Sequence, residues 1–227
     1  MRMMDIIYLG HSSFKISVAS PAGVKTKISI ITDPFDPQMV GLKYSAVEGE
    51  IVTVSHSHQD HNATQRVGNV KKIIEGPGEY EVSGVSIMGF ASYHDDKKGE
   101  ERGGNTIYVI EADGLRVVHL GDLGHALNDE LVDEIGDIDV LMIPVGGFFT
   151  IGPKGAVEII SKIEPYFVIP MHYKMEGMNP ASFDKLEPIE TFLKESGLPV
   201  ENLPKFTIKK EDILDDQNTK VIVLEKK

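Results

Sequence analysis

Short apolar and alternating runs dominate the first two-thirds of the chain. Positions 6–9, 13–18 and 27–32 carry β-branched and aromatic residues in runs broken by Gly, Pro or polar residues, the pattern of half-buried and buried strands. Positions 51–55, 72–75, 84–92, 106–111 and 115–120 continue it, with turns predicted at Gly76-Pro77-Gly78, Ser83-Gly84 and Asp113-Gly114. Helical spacing appears later. The run 128–135 opens on Asn128 as an N-cap, with acidic residues in the first turn that suit the helix dipole. Pro153 opens 153–163 at a first helical position, and Gly197 ends 188–196. Strands are predicted between these helices at 139–143 and 167–170, with a final pair at 206–209 and 221–224. Strands first and strand–helix alternation after predict an α/β fold, two sheets packed together with helices outside, with 1–227 forming a single domain.

Composition narrows the partners. A chain of 227 residues with 41 % hydrophobic and 26 % charged residues has the make-up of a packed globular protein. Its formal net charge of −12 argues against a polynucleotide partner, because affinity for nucleic acid rests on neutralising phosphates with Lys and Arg. The acidic balance leaves self-association, including a homo-oligomer, open. With no Cys, disulfides and thiolate metal sites are excluded, and any metal must be held by imidazole and carboxylate. No secretory core is present at the N-terminus and no run reaches the ~18 apolar residues of a membrane helix, so a cytoplasmic location without membrane attachment is expected.

The chemistry concentrates at His56-Ser57-His58-Gln59-Asp60-His61, directly after the run 51–55. Residues two apart in extended chain point to one side, so His56 and His58 can converge on one cation while Asp60 and His61, one or two bends later, face a second. Further ligands are expected where strands end in loops: His94, Asp122 in His119-Leu120-Gly121-Asp122, and His172 in Ile169-Pro170-Met171-His172-Tyr173. His119, inside an apolar strand, reads as a core histidine bonded to backbone.

On these residues the chain resembles the metallo-β-lactamase-fold superfamily over nearly its whole length. The resemblance implies a four-layer αβ/βα sandwich with two mixed sheets, outer helices and a dinuclear site at one edge. It implies that His56, His58 and His94 bind one metal, that Asp60, His61 and His172 bind the second, and that Asp122 bridges both. Asp33, in Ile30-Ile31-Thr32-Asp33-Pro34, matches a structural Asp that braces the metal-binding loop. Gly10-His11-Ser12-Ser13-Phe14, Gly121-Asp122-Leu123-Gly124-His125 and Pro170-Met171-His172-Tyr173 are similar to the subgroup of L-ascorbate-6-phosphate lactonase.

The expected activity is that of a metal-dependent hydrolase. Two divalent ions, zinc foremost and manganese or iron as alternatives, would present a bridging hydroxide to a small anionic, lactone or ester substrate, phosphorylated substrates included. Asp60 would orient the nucleophile, and His11 and His125 are candidates for a general acid or for orienting the ligands. Arg102, Asn105 and Lys174 are candidate substrate-binding residues, while Lys97 and Lys98 read as solvated surface. Gly146-Gly147-Phe148-Phe149-Thr150 is a candidate piece of pocket wall or a tight strand-to-helix turn. Two other readings compete: a phosphodiesterase acting on small phosphodiesters, and a non-catalytic metal-binding regulatory protein.

Overall fold

The structure, a computed structural model, describes residues 2–20, 27–213 and 218–227. The chain opens with β1 (Met4–Gly10), β2 (Ser13–Val18) and β3 (Ile28–Thr32), then a short helix α1 (Pro37–Val40) whose first turn is capped by the Asp36 side chain. Strands β4 (Val47–Glu48), β5 (Ile51–Val54), β6 (Val67–Gly68) and β7 (Lys72–Glu75) follow. Next come β8 (Gly78–Val82), β9 (Val85–Tyr93), β10 (Gly104–Ala112) and β11 (Leu115–His119), an antiparallel meander. Helices then alternate with strands: α2 (Asp129–Ile135), β12 (Val140–Pro144), α3 (Pro153–Ile163), β13 (Phe167–Met171), α4 (Pro180–Phe183) and α5 (Ile189–Ser196). The chain finishes with β14 (Val200–Leu203), β15 (Phe206–Ile208) and β16 (Lys220–Leu224).

These strands form two mixed sheets, of six strands in the order β15-β1-β2-β3-β5-β7 and of eight in the order β14-β16-β13-β12-β11-β10-β9-β8, with β4 and β6 as a separate pair. Ile6, Ile16, Ile30 and Ile51 of the first sheet join Ile107, Val109, Val117 and Leu141 of the second in one continuous core. Removal of each such side chain from water contributes roughly 1.5–3 kcal/mol. All five residues of β12 are buried, as expected of a central parallel strand covered on both faces. Helix α3 supplies Ala156, Ile159 and Ile160 to that core, one apolar stripe at helical spacing. The expected caps are present: the Asn128 side chain accepts from Leu131 N, and Gly197 ends α5 in the left-handed conformation.

The structure departs from the sequence expectation at the final strands and at several short elements, α1, α4, β4 and β6 among them. The segments near 206–209 and 221–224 do not pair with each other. β15 pairs antiparallel with β1 in the six-stranded sheet, whereas β16 lies between β13 and β14 in the eight-stranded one. Strands β8 and β14 are additional edge strands: β8 alternates Glu79 and Glu81 with half-buried Tyr80 and Val82 but opens on the predicted Gly76-Pro77-Gly78 turn, and β14 is short, largely exposed and without apolar alternation. Among the described residues no helix is long and apolar enough to cross a membrane.

Candidate metal centre

Six loops leave strand ends at one edge of the sandwich and carry the functional side chains: His11 after β1, Asp33 after β3, His56 to His61 after β5, His94 after β9, Asp122 after β11 and His172 after β13. Bonds between the two sheets clamp this edge. Thr106 N donates to Ser55 O (2.9 Å), Tyr108 Oη to Val54 O (2.8 Å) and His172 N to His11 O (2.9 Å). His119 is fully buried; its Nδ1 accepts from Gly121 N (3.2 Å) and its Nε2 donates to Ser12 O (2.8 Å), so it acts as a cross-sheet tie. The chain strains to bring the loops together: His11, Asp33 and His172 all have positive φ (57°, 37° and 52°), at about 1–3 kcal/mol each.

Among the described residues the donors form three groups whose ligand atoms lie within 4.8 Å of one another: His56, His58 and His94; His11, Asp60, His61 and His172; and, beneath the first two, Asp33 with His56 and His61. Asp122 stands between the first two. Its Oδ2 is 3.2 Å from His94 Nε2, 3.2 Å from His61 Nε2, 3.1 Å from His172 Nε2 and 3.9 Å from His56 Nε2. The structure thus brings all seven expected ligands to one place, and adds His11 to the second group.

One carboxylate orients two of the imidazoles. Asp33 is fully buried; its Oδ1 accepts from Ser55 N (2.8 Å), and its Oδ2 accepts from Ser55 Oγ (2.5 Å) and from His61 Nδ1 (2.9 Å). Because the Ser55 hydroxyl hydrogen is committed to Asp33, Ser55 Oγ can only accept from His56 Nδ1, 2.9 Å away. Both His56 and His61 therefore present Nε2 to the site, and neither Nε2 has a hydrogen-bond partner although both are buried. Ser55 is the residue that sequence reasoning missed. It reads as the last position of a strand, and its role depends on a partner 22 residues away.

These residues fit a cation. His61 Nε2 faces Asp122 Oδ2 while its Nδ1 proton is committed to Asp33, so Nε2 must carry a proton or a metal ion. Burial disfavours the charged ring, yet Asp122 and Asp60 outweigh it and raise its pKa well above the ordinary value. Burial likewise pushes the Asp122 carboxyl up, but His172 and His61 hold it well below the usual range. The geometry demands positive charge at the centre, and imidazoles with carboxylates are the donor set of zinc, manganese or iron.

The remaining candidates separate in the structure, and His11 takes the orienting place, one of its two expected roles. His11 is fully buried behind Asp60, with Nε2 3.1 Å from Asp60 Oδ2. Burial and the neighbouring His172 lower its pKa to about 4, so the neutral ring donates to Asp60 and is not a proton source facing substrate. His125 lines a separate cavity with Tyr93 and Asn128; its Nε2 accepts from Tyr93 N (3.1 Å) and its Nδ1 donates to Ala126 O (2.8 Å), which occupies both ring nitrogens. Asn105 is buried and consumed internally, its Oδ1 accepting from Asp122 N (2.9 Å) and its Nδ2 donating to Ser92 Oγ (2.7 Å) and Leu120 O (2.9 Å). It positions Asp122. Lys174 Nζ is held by Asp184 O (2.9 Å) and Asp184 Oδ1 (2.8 Å), away from the cavity. Arg102 does line the cavity over the centre, a cleft of about 440 Å³ that His58, Asp60, His94 and Asp122 floor and Met39, Phe149 and Phe183 wall.

Comparison with known proteins places the chain among metal-dependent hydrolases. The model of the beta-lactamase superfamily domain matches residues 5–172. A UPF0173 metal-dependent hydrolase of Thermococcus onnurineus is 30 % identical over 214 residues, covering 81 % of this chain and 92 % of that protein. The corresponding protein of Methanopyrus kandleri is 29 % identical over 230 residues, covering 87 % and 95 %. A crystal structure from Thermotoga maritima, assigned to the zinc-dependent hydrolases of the metallo-β-lactamase superfamily, is similar with a TM-score of 0.71 and 33 % identity, covering 98 % of this chain and 100 % of that one. The fold is that of the metallo-β-lactamase superfamily. Within that superfamily the chain belongs to the UPF0173 metal-dependent hydrolase family.

Proposed function

We propose that the protein hydrolyses a small anionic ester or lactone at a site holding two divalent cations, zinc foremost. The observation that carries this reading is the position of Asp122 Oδ2, within 3.2 Å of Nε2 atoms from both ligand groups (His94 on one side, His61 and His172 on the other). His56, His58 and His94 would hold one cation, Asp60, His61 and His172 the other, with Asp122 shared. Divalent ions at such a site lower the pKa of a coordinated water and neutralise charge developing on an attacked carbonyl.

The chain's own residues supply the rest. Asp33, directly and through Ser55, fixes the tautomers of His61 and His56, so their lone pairs face the centre. Asp60 faces the cavity with one oxygen held by His11, and its other oxygen can accept a hydrogen bond from the attacking water. Met39, Phe149 and Phe183 offer apolar surface beside the reacting group.

The test is elemental analysis of purified, metal-supplied protein, followed by a panel of lactones, esters and small phosphodiesters. About two transition-metal ions per chain with turnover of an ester or lactone is the expected result. Protein without metal, or turnover confined to phosphodiesters, would overturn the reading.

A further inference from the structure

The cavity above the centre sets apolar side chains beside a single basic one. Met39, Phe149 and Phe183 line it beside Ser57, Gln59 and Ser182, and among the described residues that line it Arg102 is the one Lys or Arg. Arg102 is held there by a built loop. The Asp95 side chain, in a residue 3 % exposed, accepts four backbone N–H bonds, from Lys97 and Gly99 on Oδ1 (both 2.8 Å) and from Glu101 and Arg102 on Oδ2 (3.0 and 2.8 Å). The same loop is tied to the metal centre, because His94 N donates to Gly103 O (3.0 Å). The Arg102 guanidinium lies over the Phe149 ring, 5.8 Å from its centroid, so the aromatic wall orients it by a cation–π contact.

The neighbouring cations are otherwise committed. Lys97 pairs with Glu101, and Lys98 borders a separate cavity. Glu101 also lies 3.6 Å from Arg102 Nη1, but it is half-exposed and shared with Lys97, so it leaves most of the guanidinium fork free.

We infer that the substrate is amphiphilic: an apolar acyl or ring body lies against Met39, Phe149 and Phe183, and an anionic group distal to the scissile carbonyl is held by Arg102. This inference rests on the hydrolase reading above and adds its substrate class. A planar guanidinium on an aromatic support selects a carboxylate or a phosphate, and Met39, Phe149 and Phe183 offer apolar surface to a carbon chain or ring.

Calorimetric binding to the metal-loaded protein separates these features without turnover. The probes are octanoate, suberate and 8-phosphonooxyoctanoate, which share a chain length and differ at the distal end. Wild type is expected to bind one of the two bolaform probes about tenfold to a hundredfold more tightly than octanoate, the stronger one identifying carboxylate or phosphate as the distal group. In Arg102→Gln the ratio should collapse to about one, and in Arg102→Lys it should be recovered in part. Acetate should bind about tenfold more weakly than octanoate, reporting the apolar body. A ratio unchanged in Arg102→Gln, or equal binding of acetate and octanoate, would overturn the inference. Turnover of 4-nitrophenyl hydrogen suberate to suberate and 4-nitrophenol is assayed in parallel. Arg102-dependent binding without hydrolysis of this ester or of any lactone would strike the hydrolase reading alone, and hydrolysis without Arg102-dependent binding would strike the inference alone.

Discussion

His11 Nε2 lies 3.1 Å from Asp60 Oδ2, and the histidine ring is packed against His172, 4.2 Å between centroids, with no exposure to solvent. This pair joins the β1–β2 turn to the loop after β5, and it holds in place the carboxylate that faces the cavity. Loss of such an orienting partner typically weakens metal binding by about 10–100-fold. His11→Ala should therefore lower occupancy of the second cation by about that factor, while His11→Gln, which can still donate to Asp60, should retain more of it. Chelator competition on both variants checks this, and equal affinities for the two would show that the bond does not orient Asp60.

Asp33 orients two imidazoles and Ser55 only one of them. Asp33→Asn removes an acceptor from both His61 and Ser55 and places an amide against an N–H; metal affinity should fall by about 100-fold or more. Ser55→Ala should cost about tenfold, through His56 alone. Identical losses in the two variants would contradict the relay.

His58 is exposed, unlike the other histidines of the two groups. His58→Ala should leave stability within about 0.5 kcal/mol of wild type by chemical denaturation of the metal-free proteins, while abolishing hydrolysis and reducing bound metal from two ions toward one. Wild-type turnover in this variant would remove the first ligand group from the mechanism.

Gly121 has φ +57°, and a Cβ there would meet Asn105 Oδ1 at 2.3 Å and Ser55 Cβ at 2.6 Å. Gly121→Ala should destabilise the fold by about 2–4 kcal/mol and displace Asp122, which Asn105 positions. Denaturant unfolding and metal content measure the two effects, and a neutral substitution would mean that the β5 and β11 loops part freely.

Asp5 on β1 pairs with Lys27 (2.5 Å) and Lys205 (3.1 Å) and accepts from Thr207 on β15 (2.6 Å). Burial pushes its carboxyl up, but these bonds outweigh it and lower the pKa to about 2. A depressed folded-state pKa stabilises the protein above the unfolded value near 3.8, and that contribution is lost as pH falls through 2. Asp5→Asn should thus cost about 1–2 kcal/mol at neutral pH, and the gap from wild type should close between pH 4 and 2. A gap independent of pH would place the effect elsewhere.

Local spacing and punctuation in the sequence determined the elements that depend on neighbours only. The Asn128 cap, the Pro153 start, the Gly197 stop and the run from His56 to His61 at the end of β5 all follow from contacts within a few residues, which the chain carries wherever it goes. Tertiary structure decided what depends on distant partners. Whether His56 and His61 aim Nε2 at the centre is set by Asp33 through bonds spanning 22 to 28 residues. That β15 and β16 separate into different sheets depends on which edge each can reach. His125, Asn105 and Lys174 lie near the ligands in sequence, yet backbone groups, Ser92 and Asp184 take up their polar atoms. Residue type names what a side chain can bind, and the direction in which it points is settled only when two sheets close around it.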